Sequence, residues 1–417
     1  MSEARRETQA VWVNRWLGGV LVLCFALIPL AGWLGPLAFA PIMAGIGLMC
    51  LPALRVEEGD RPLALALTVA VIWAVGSTLW SPFEIKDPWT SNPAKLVSQA
   101  LLYWAAYCAV ARLEAPALRR AMSVFMWGVS ALSVLIIAEA VTGAALYQWV
   151  RQAIGDPIRP DLAVRNTAQG VFVLAVLWGP AALAAFRLGW WQLSVLMAAA
   201  ILAGGFGLAA DAPVLALVAA GLAGAAVWFW PKLAPRVLAA AAGLLFLLTP
   251  LAVWAAREQG IYGRIQEMVS LSWSMRMDYW SFAIDWIGDK PLRGWGLDAS
   301  RMFGPGIKLH PHNGPLQIWL ELGVIGVAAA VILWAGLFLK LERRTPDLGA
   351  SAGAAAAVSY LTFATVSFGV WQEWWLALGA LAVLAAASVQ RLAPRAAEAG
   401  RRQTAVRSPS TSPRLSE

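Results

Sequence analysis

Residues 314–339 read GPLQIWLELGVIGVAAAVILWAGLFL, with Glu321 the one charged side chain in the run. At about 1.5 Å of rise per residue this is long enough for a helix to cross a hydrocarbon layer of roughly 30 Å. Working outward, further apolar runs lie at 14–34, 37–54, 62–80, 95–111, 119–142, 168–186, 190–210, 213–230, 237–255, 350–370 and 373–390. The runs are continuous and rich in Ala, Leu and Val, without the alternation of a barrel strand, so they read as helices. Of the 417 residues 60% are hydrophobic and 13% charged, and the mean hydropathy is +0.64. A water-soluble fold of that composition could not cover its surface with polar groups. The chain is therefore expected to be an all-α polytopic membrane protein with about twelve transmembrane helices.

Charge sets the expected topology. Alternate connections, together with both ends of the chain, hold 20 of the 32 Lys and Arg residues, among them Arg55, Arg61, Arg112, Arg119, Arg120, Arg187, Lys232, Arg236, Lys340 and Arg343. Short basic loops stay in the cytoplasm, which puts both termini inside and accounts for the net charge of +8 without nucleic acid. No small-residue cleavage site follows MSEARRETQA, so the first apolar run reads as a retained span. Residues 1–390 then form the membrane domain, and 391–417, rich in Arg, Ser, Pro and Ala, read as a disordered basic cytoplasmic tail able to touch anionic membrane lipids. Cys24, Cys50 and Cys108 lie inside apolar runs with no paired spacing, and read as small packing residues.

Three connections on the opposite side are longer: 81–94, 143–167 and one of nearly 60 residues, about 256–313. The last is too aromatic and too rich in Gly turns to be disordered, and a long loop in a compact protein is usually functional. Trp80, Trp89, Trp149, Trp254, Trp273, Trp371, Trp374 and Trp375 gather near that side, as an interfacial belt would.

The two histidines of the chain stand together in His310-Pro311-His312-Asn313-Gly314-Pro315. Asn313 or Gly314 suits a helix cap, with Pro315 in the first turn, where its missing N–H costs nothing. Beyond the cap, Asn313, Gln317 and Glu321 recur every four residues and form one polar stripe that cannot face lipid. The stripe either binds a ligand or joins neighbouring helices; Gly323 and Gly326 read as close-packing positions. Upstream, Ser272 to Asp289 reads as a helix with Arg276, Trp280, Ala283 and Ile287 on one face. An Arg there either snorkels to headgroups or meets an anion at the membrane surface. Asp278, Asp285, Asp289 and Asp298 read as solvated carboxylates rather than metal ligands.

Ser274-x-Arg276, Trp280, Pro291-x-x-Gly294-x-Gly296, Phe303 and His312-Asn313-x-x-Leu316-Gln317-x-x-x-Glu321-x-Gly323-x-x-Gly326 together resemble the signature region of the O-antigen ligase and polymerase superfamily. The resemblance covers about 55 residues. It implies a GT-C-like bundle of twelve helices with one large periplasmic loop, in the bacterial inner membrane. It also implies a metal-independent, cofactor-free glycosyltransferase that moves a glycan from an undecaprenyl diphosphate carrier to a hydroxyl of lipid A core or a growing polysaccharide. His312 takes the place of the base and Arg276 of the diphosphate ligand, with Arg293, Asn313, Gln317, Glu321 and His310 as further substrate-binding candidates. Ligases of this group usually carry another Arg after a Ser, near the outer end of the span before 213–230. Here Gly207-Leu208-Ala209-Ala210-Asp211-Ala212-Pro213 has none, so either Arg165 takes its place or the substrate differs.

A transporter or flippase of lipid-linked glycan is the rival class. It calls for ionisable groups at mid-membrane on several helices and for broken spans repeated in two halves. The sequence shows no such repeat. An assembly partner without activity is the third class, and a cavity holding Arg276 and His312 would favour the enzyme over both. The topology predicts that a cysteine introduced at Ser300, in a chain lacking its three native cysteines, reacts with a membrane-impermeant thiol reagent from outside; reaction only after the inner membrane is permeabilised would reverse the assignment.

Overall fold

The structure, a computed structural model, describes residues 3–392, and the tail read as disordered lies outside them but for its first two residues. The described residues form helices and no strand. Every expected span is helical, and ten of the helical segments are long and apolar enough to cross a membrane. The other two expected spans are helices Asn92–Arg112, which carries more polar side chains, and Gln192–Gly207, which is only 16 residues long. The protein is thus a polytopic membrane protein that is all-helical among the described residues, with ten of the twelve expected spans long and apolar enough to cross a membrane by length and composition.

The connections sort into two ends, as the charge pattern requires. At one end Arg236 forms a bidentate pair with Glu342 (2.7 and 2.9 Å), Lys340 pairs with Asp60, Arg112 donates to the Pro52 carbonyl and Arg391 to those of Val110 and Leu113. At the other, Ser81 reaches the Leu297 carbonyl, Asn92 reaches Asp298, and Lys95 pairs with Glu373. This second end carries the long connection, which folds into helices Ile261–Met268 and Leu271–Asp289 and a 3₁₀ turn at Ala299–Met302. It has its own apolar core, in which Tyr279, Ala283, Ile287, Phe303, Leu316 and Leu320 are buried together. The expected tryptophan belt divides: Trp89, Trp149 and Trp254 are exposed, but Trp374 and Trp375 are core residues, the latter stacked on Tyr360 with ring centroids 4.0 Å apart.

Gly323 does more than admit a neighbour. The helix Gly314–Leu339 breaks there, at φ 63°, ψ −162°. A break inside a span frees backbone groups that lipid cannot satisfy, so protein must. The Pro291–Gly296 turn does so: Trp295 and Gly296 donate N–H to the carbonyls of Leu320 (2.8 Å) and Glu321 (2.7 Å), and Val324 N–H donates to Pro291 (2.9 Å). Trp73 Nε1 caps the Leu322 carbonyl at 2.9 Å. The approach demands glycine on both sides, since a Cβ on Gly323 would stand 2.4 Å from the Leu292 carbonyl oxygen and one on Gly294 2.4 Å from that of Glu321.

Ser300 is 1% exposed, with its hydroxyl on Glu321, so the topology reporter belongs at Met302, 52% exposed. Gly323→Ala should destabilise the fold by about 2–6 kcal/mol, combining left-handed strain with overpacking. Gly76→Ala, in an open helical position, should change it by less than about 1 kcal/mol. Thermal unfolding in detergent compares the two; equal melting temperatures would show that the break at Gly323 is not needed.

Candidate functional site

The outer face of the bundle brings three segments together. Helix Leu271–Asp289 presents one residue per contact: Arg276 Nη1 donates to the Val366 carbonyl (2.9 Å), Tyr279 stacks on the His312 ring at 6.3 Å and 20°, and Trp280 Nε1 donates to the Pro311 carbonyl (2.9 Å). This is the face expected to carry Arg276. The second segment is 309–313, in which Leu309 and His312 both have left-handed backbones, at φ 70° and 56°. Such conformations cost of order 1–3 kcal/mol each and persist only where the surroundings hold them. The third, 366–373, was not expected to take part: the span read as 350–370 stops at Val366, and the rest is a loop.

Asn313 is the helix cap, its side-chain oxygen accepting the Leu316 N–H at 2.9 Å. Gln317 and Glu321 continue the stripe inward and are buried, at 3% and 0% exposure. Gln317 accepts the Val370 N–H (2.9 Å) and donates to Glu321 (3.1 Å). The other donors on Glu321 are Ser300 Oγ (2.5 Å), Trp371 Nε1 (2.5 Å) and Asp298 N–H (2.9 Å). With four donors, this carboxylate is saturated by the protein and ties the long connection, the broken helix and the 366–373 loop together. Asp298, read as solvated, is in fact 5% exposed, held by both Asn92 contacts (2.7 and 2.9 Å) and by Arg301 at 3.0 Å; burial raises its pKa. Arg293 stands apart from the cluster, exposed and 5.7 Å above the Trp80 ring.

The histidines adopt distinct and complementary states. His312 Nδ1 lies 2.8 Å from the Ser367 carbonyl, which can only accept, so Nδ1 carries the proton and Nε2 keeps its lone pair. Burial, and then the Arg276 and Arg165 charges, hold its pKa below the ordinary value although the Ser367 carbonyl favours the charged form. His310, 8% exposed, accepts the His312 N–H on Nδ1 (3.2 Å), so its proton sits on Nε2. That nitrogen is 3.1 Å from the Gln372 amide nitrogen; turning the amide offers its oxygen instead and removes a clash of two donors. Burial first, then His312, Arg301 and Arg276, push the His310 pKa down to about 3. The rings are 4.1 Å apart, and a Cβ on Gly369 would meet His310 at 2.7 Å.

Arg276 is half-buried, with Trp273 at 5.0 Å, and burial lowers its pKa; a guanidinium remains charged all the same. Arg165, from the start of helix Pro160–Leu188, is exposed and close enough to act on His312. Among the described residues neither arginine forms an ion pair with a carboxylate. Sequence reasoning missed Ser367, Gly369 and Gln372; the one available signal was Gly369 among aromatic residues, which hydropathy absorbs into a span.

Residues 196–331 match the family model described as O-antigen ligase. Among curated proteins the chain is similar to one from Rickettsia conorii named "Putative polysaccharide ligase", 31% identical over 122 residues, or 25% of this chain and 29% of that protein. It is similar also to namesakes from Rickettsia prowazekii, 27% over 118 residues, and Rickettsia bellii, 31% over 121. The matched stretch spans less than a third of the length of these relatives.

If Glu321 is a tie, Glu321→Ala strands buried donors at about 1–3 kcal/mol each. Its melting temperature should fall further than that of Glu321→Gln, which keeps one acceptor. A Glu321→Ala protein as stable as the parent would refute the tie.

Proposed function

We propose, from the match of residues 196–331 to the family model described as O-antigen ligase, that the chain transfers a glycan from undecaprenyl diphosphate to an acceptor hydroxyl at the periplasmic face of the inner membrane. One observation carries the reading: a neutral imidazole with a free Nε2 lone pair stands near two guanidiniums that have no carboxylate partners among the described residues. The loops carrying this site belong to the side opposite the basic connections, which is the side where a lipid-linked glycan would be used.

Each group has a task. The acceptor O–H gives its proton to His312 Nε2 as its oxygen bonds to the anomeric carbon of the donor sugar. The bond from that carbon to the diphosphate breaks, and its electron pair leaves with undecaprenyl diphosphate. Arg276 and Arg165 meet the charge that develops on the leaving group, through bidentate contacts that a lysine cannot make. Arg165 thus supplies the cation that the 207–213 segment lacks. His312 later returns its proton to water. Asn313, Gln317 and Glu321 hold the helix mouth, and His310 holds the backbone of His312.

The base must be neutral to act, and its lowered pKa keeps it so at mildly acidic pH. For reconstituted protein, kcat/KM should therefore stay level as pH falls through 6.5, the ordinary histidine value, and decline only below it. His312→Ala should lose about 10²- to 10⁴-fold in transfer with its melting temperature kept. Arg276→Lys should lose less than Arg276→Ala. Full turnover by a well-folded His312→Ala protein would end the catalytic role of this residue.

A further inference from the structure

A cavity of about 450 Å³ opens beside His310. Arg276, Arg165 and His312 do not line it. Its walls include Leu37 from the first outer turn, Asn92, Arg301 and His310, and Gln372 beside Trp371 and Trp374. These residues come from separate stretches of the chain, and the mechanism uses the cavity for nothing. One wall is apolar and aromatic, with Trp371 and Trp374, while the other offers carboxylates, amides and a guanidinium.

The charges select the ligand class. Arg301 is matched by Asp298 at 3.0 Å, and Glu373 by Lys95 at 2.7 Å. A phosphate or other anion would have to displace a carboxylate from its cation, whereas an uncharged polyol needs only acceptors and donors. Gln372 adds a group of that kind: with its oxygen turned to His310 Nε2, its amide nitrogen takes the buried position that has no hydrogen-bond partner among the described residues. A pocket of a few hundred Å³ that combines indole surface with a few fixed polar groups suits a small amphiphilic ligand. A sugar is such a ligand, with C–H faces for the indoles and hydroxyls for carboxylates and amides.

We propose that this cavity is a carbohydrate subsite that seats the acceptor glycan, with the ring of His310 as the partition between it and the base. The inference rests on the transfer reading for the identity of its ligand, while the pocket itself is independent of it. The His310 and His312 rings are 4.1 Å apart, so a sugar seated against His310 has its neighbouring hydroxyls within one residue of His312. The acceptor and the diphosphate then have separate recognition surfaces, since neither arginine lines the cavity.

The test uses full-length protein carrying His312→Ala in nanodiscs, so that nothing turns over, and saturation-transfer NMR with methyl glycosides of glucose, mannose, galactose and N-acetylglucosamine as probes. At least one glycoside should bind, and inorganic diphosphate should not displace it. Leu37, 72% exposed at the cavity wall, can be enlarged without touching the core. Leu37→Trp should weaken the bound glycoside on the order of tenfold, and Gln372→Ala should weaken it as well. Binding of no glycoside, displacement by diphosphate, or binding indifferent to both substitutions would overturn the subsite. In the parent background, Leu37→Trp should raise the KM for acceptor and leave that for the lipid-linked donor unchanged. These outcomes separate from the catalytic reading, which stands or falls on turnover by His312→Ala itself.

Discussion

A broken helix inside an apolar bundle must have its freed backbone groups paired, and here the Pro291–Gly296 turn supplies most of the pairing. Everything at the outer mouth depends on that exchange. It fixes the long connection to the helix whose first turn follows His312. It brings Asp298 and Ser300 over Glu321, and it sets Trp295 among Trp286 and Phe303, with centroids 4.9 and 5.6 Å away. The glycines at 294, 296 and 323 are one device: all have positive φ, and added side chains at 294 and 323 would collide with each other's segment. A connection of this length would otherwise be free to move, and His312 would have no fixed position relative to the arginines.

Glu321 extends the constraint sideways. A buried carboxylate is tolerable only when its lone pairs are met, and its four donors come from three different parts of the chain. The polar stripe seen in the sequence is therefore real as a stripe, but its inner members face protein. Their contribution to the site is to hold in register the three segments that carry Arg276, His312 and Ser367. Hydrogen bonds of this kind are individually worth little net stability; leaving one donor orphaned is what costs.

Much of this was legible. Hydropathy located every long helix, the spacing of Arg276 and Trp280 described the helix Leu271–Asp289, and Asn313 was readable as a cap because the cap chemistry is local. What escaped depends on tertiary partners. Gly323 lies in an unbroken apolar run, where a glycine ordinarily means close packing, and only the opposing turn makes it a break. Phe368 and Val370 carried the apolar signal past Val366, so the part of the loop holding Ser367 was read as helix. Trp374 and Trp375 were assigned to the interface by residue type, although neighbouring Phe363, Phe368 and Tyr360 bury them. Asp298 was assigned to water for the same reason, since nothing in the sequence announces Asn92 two hundred residues earlier as its partner.

The arrangement of charge also explains why the base and the cations belong together. Burial, and then the charges of Arg276 and Arg165, disfavour a positive charge on His312. A diphosphate placed between the arginines reverses the balance: its negative charge cancels theirs and favours a protonated imidazole nearby. Donor binding would thereby raise the basicity of His312 at the moment a proton has to be taken, while the Ser367 carbonyl keeps Nε2 as the nitrogen that receives it. On the proposed mechanism the base would be poor without its donor, which would protect it from activating water or a stray hydroxyl. The same electrostatics assign His310 its separate task. Buried deeper and flanked by Arg301 as well as Arg276, it stays neutral in either state, and so it can hold the His312 backbone without competing for the proton.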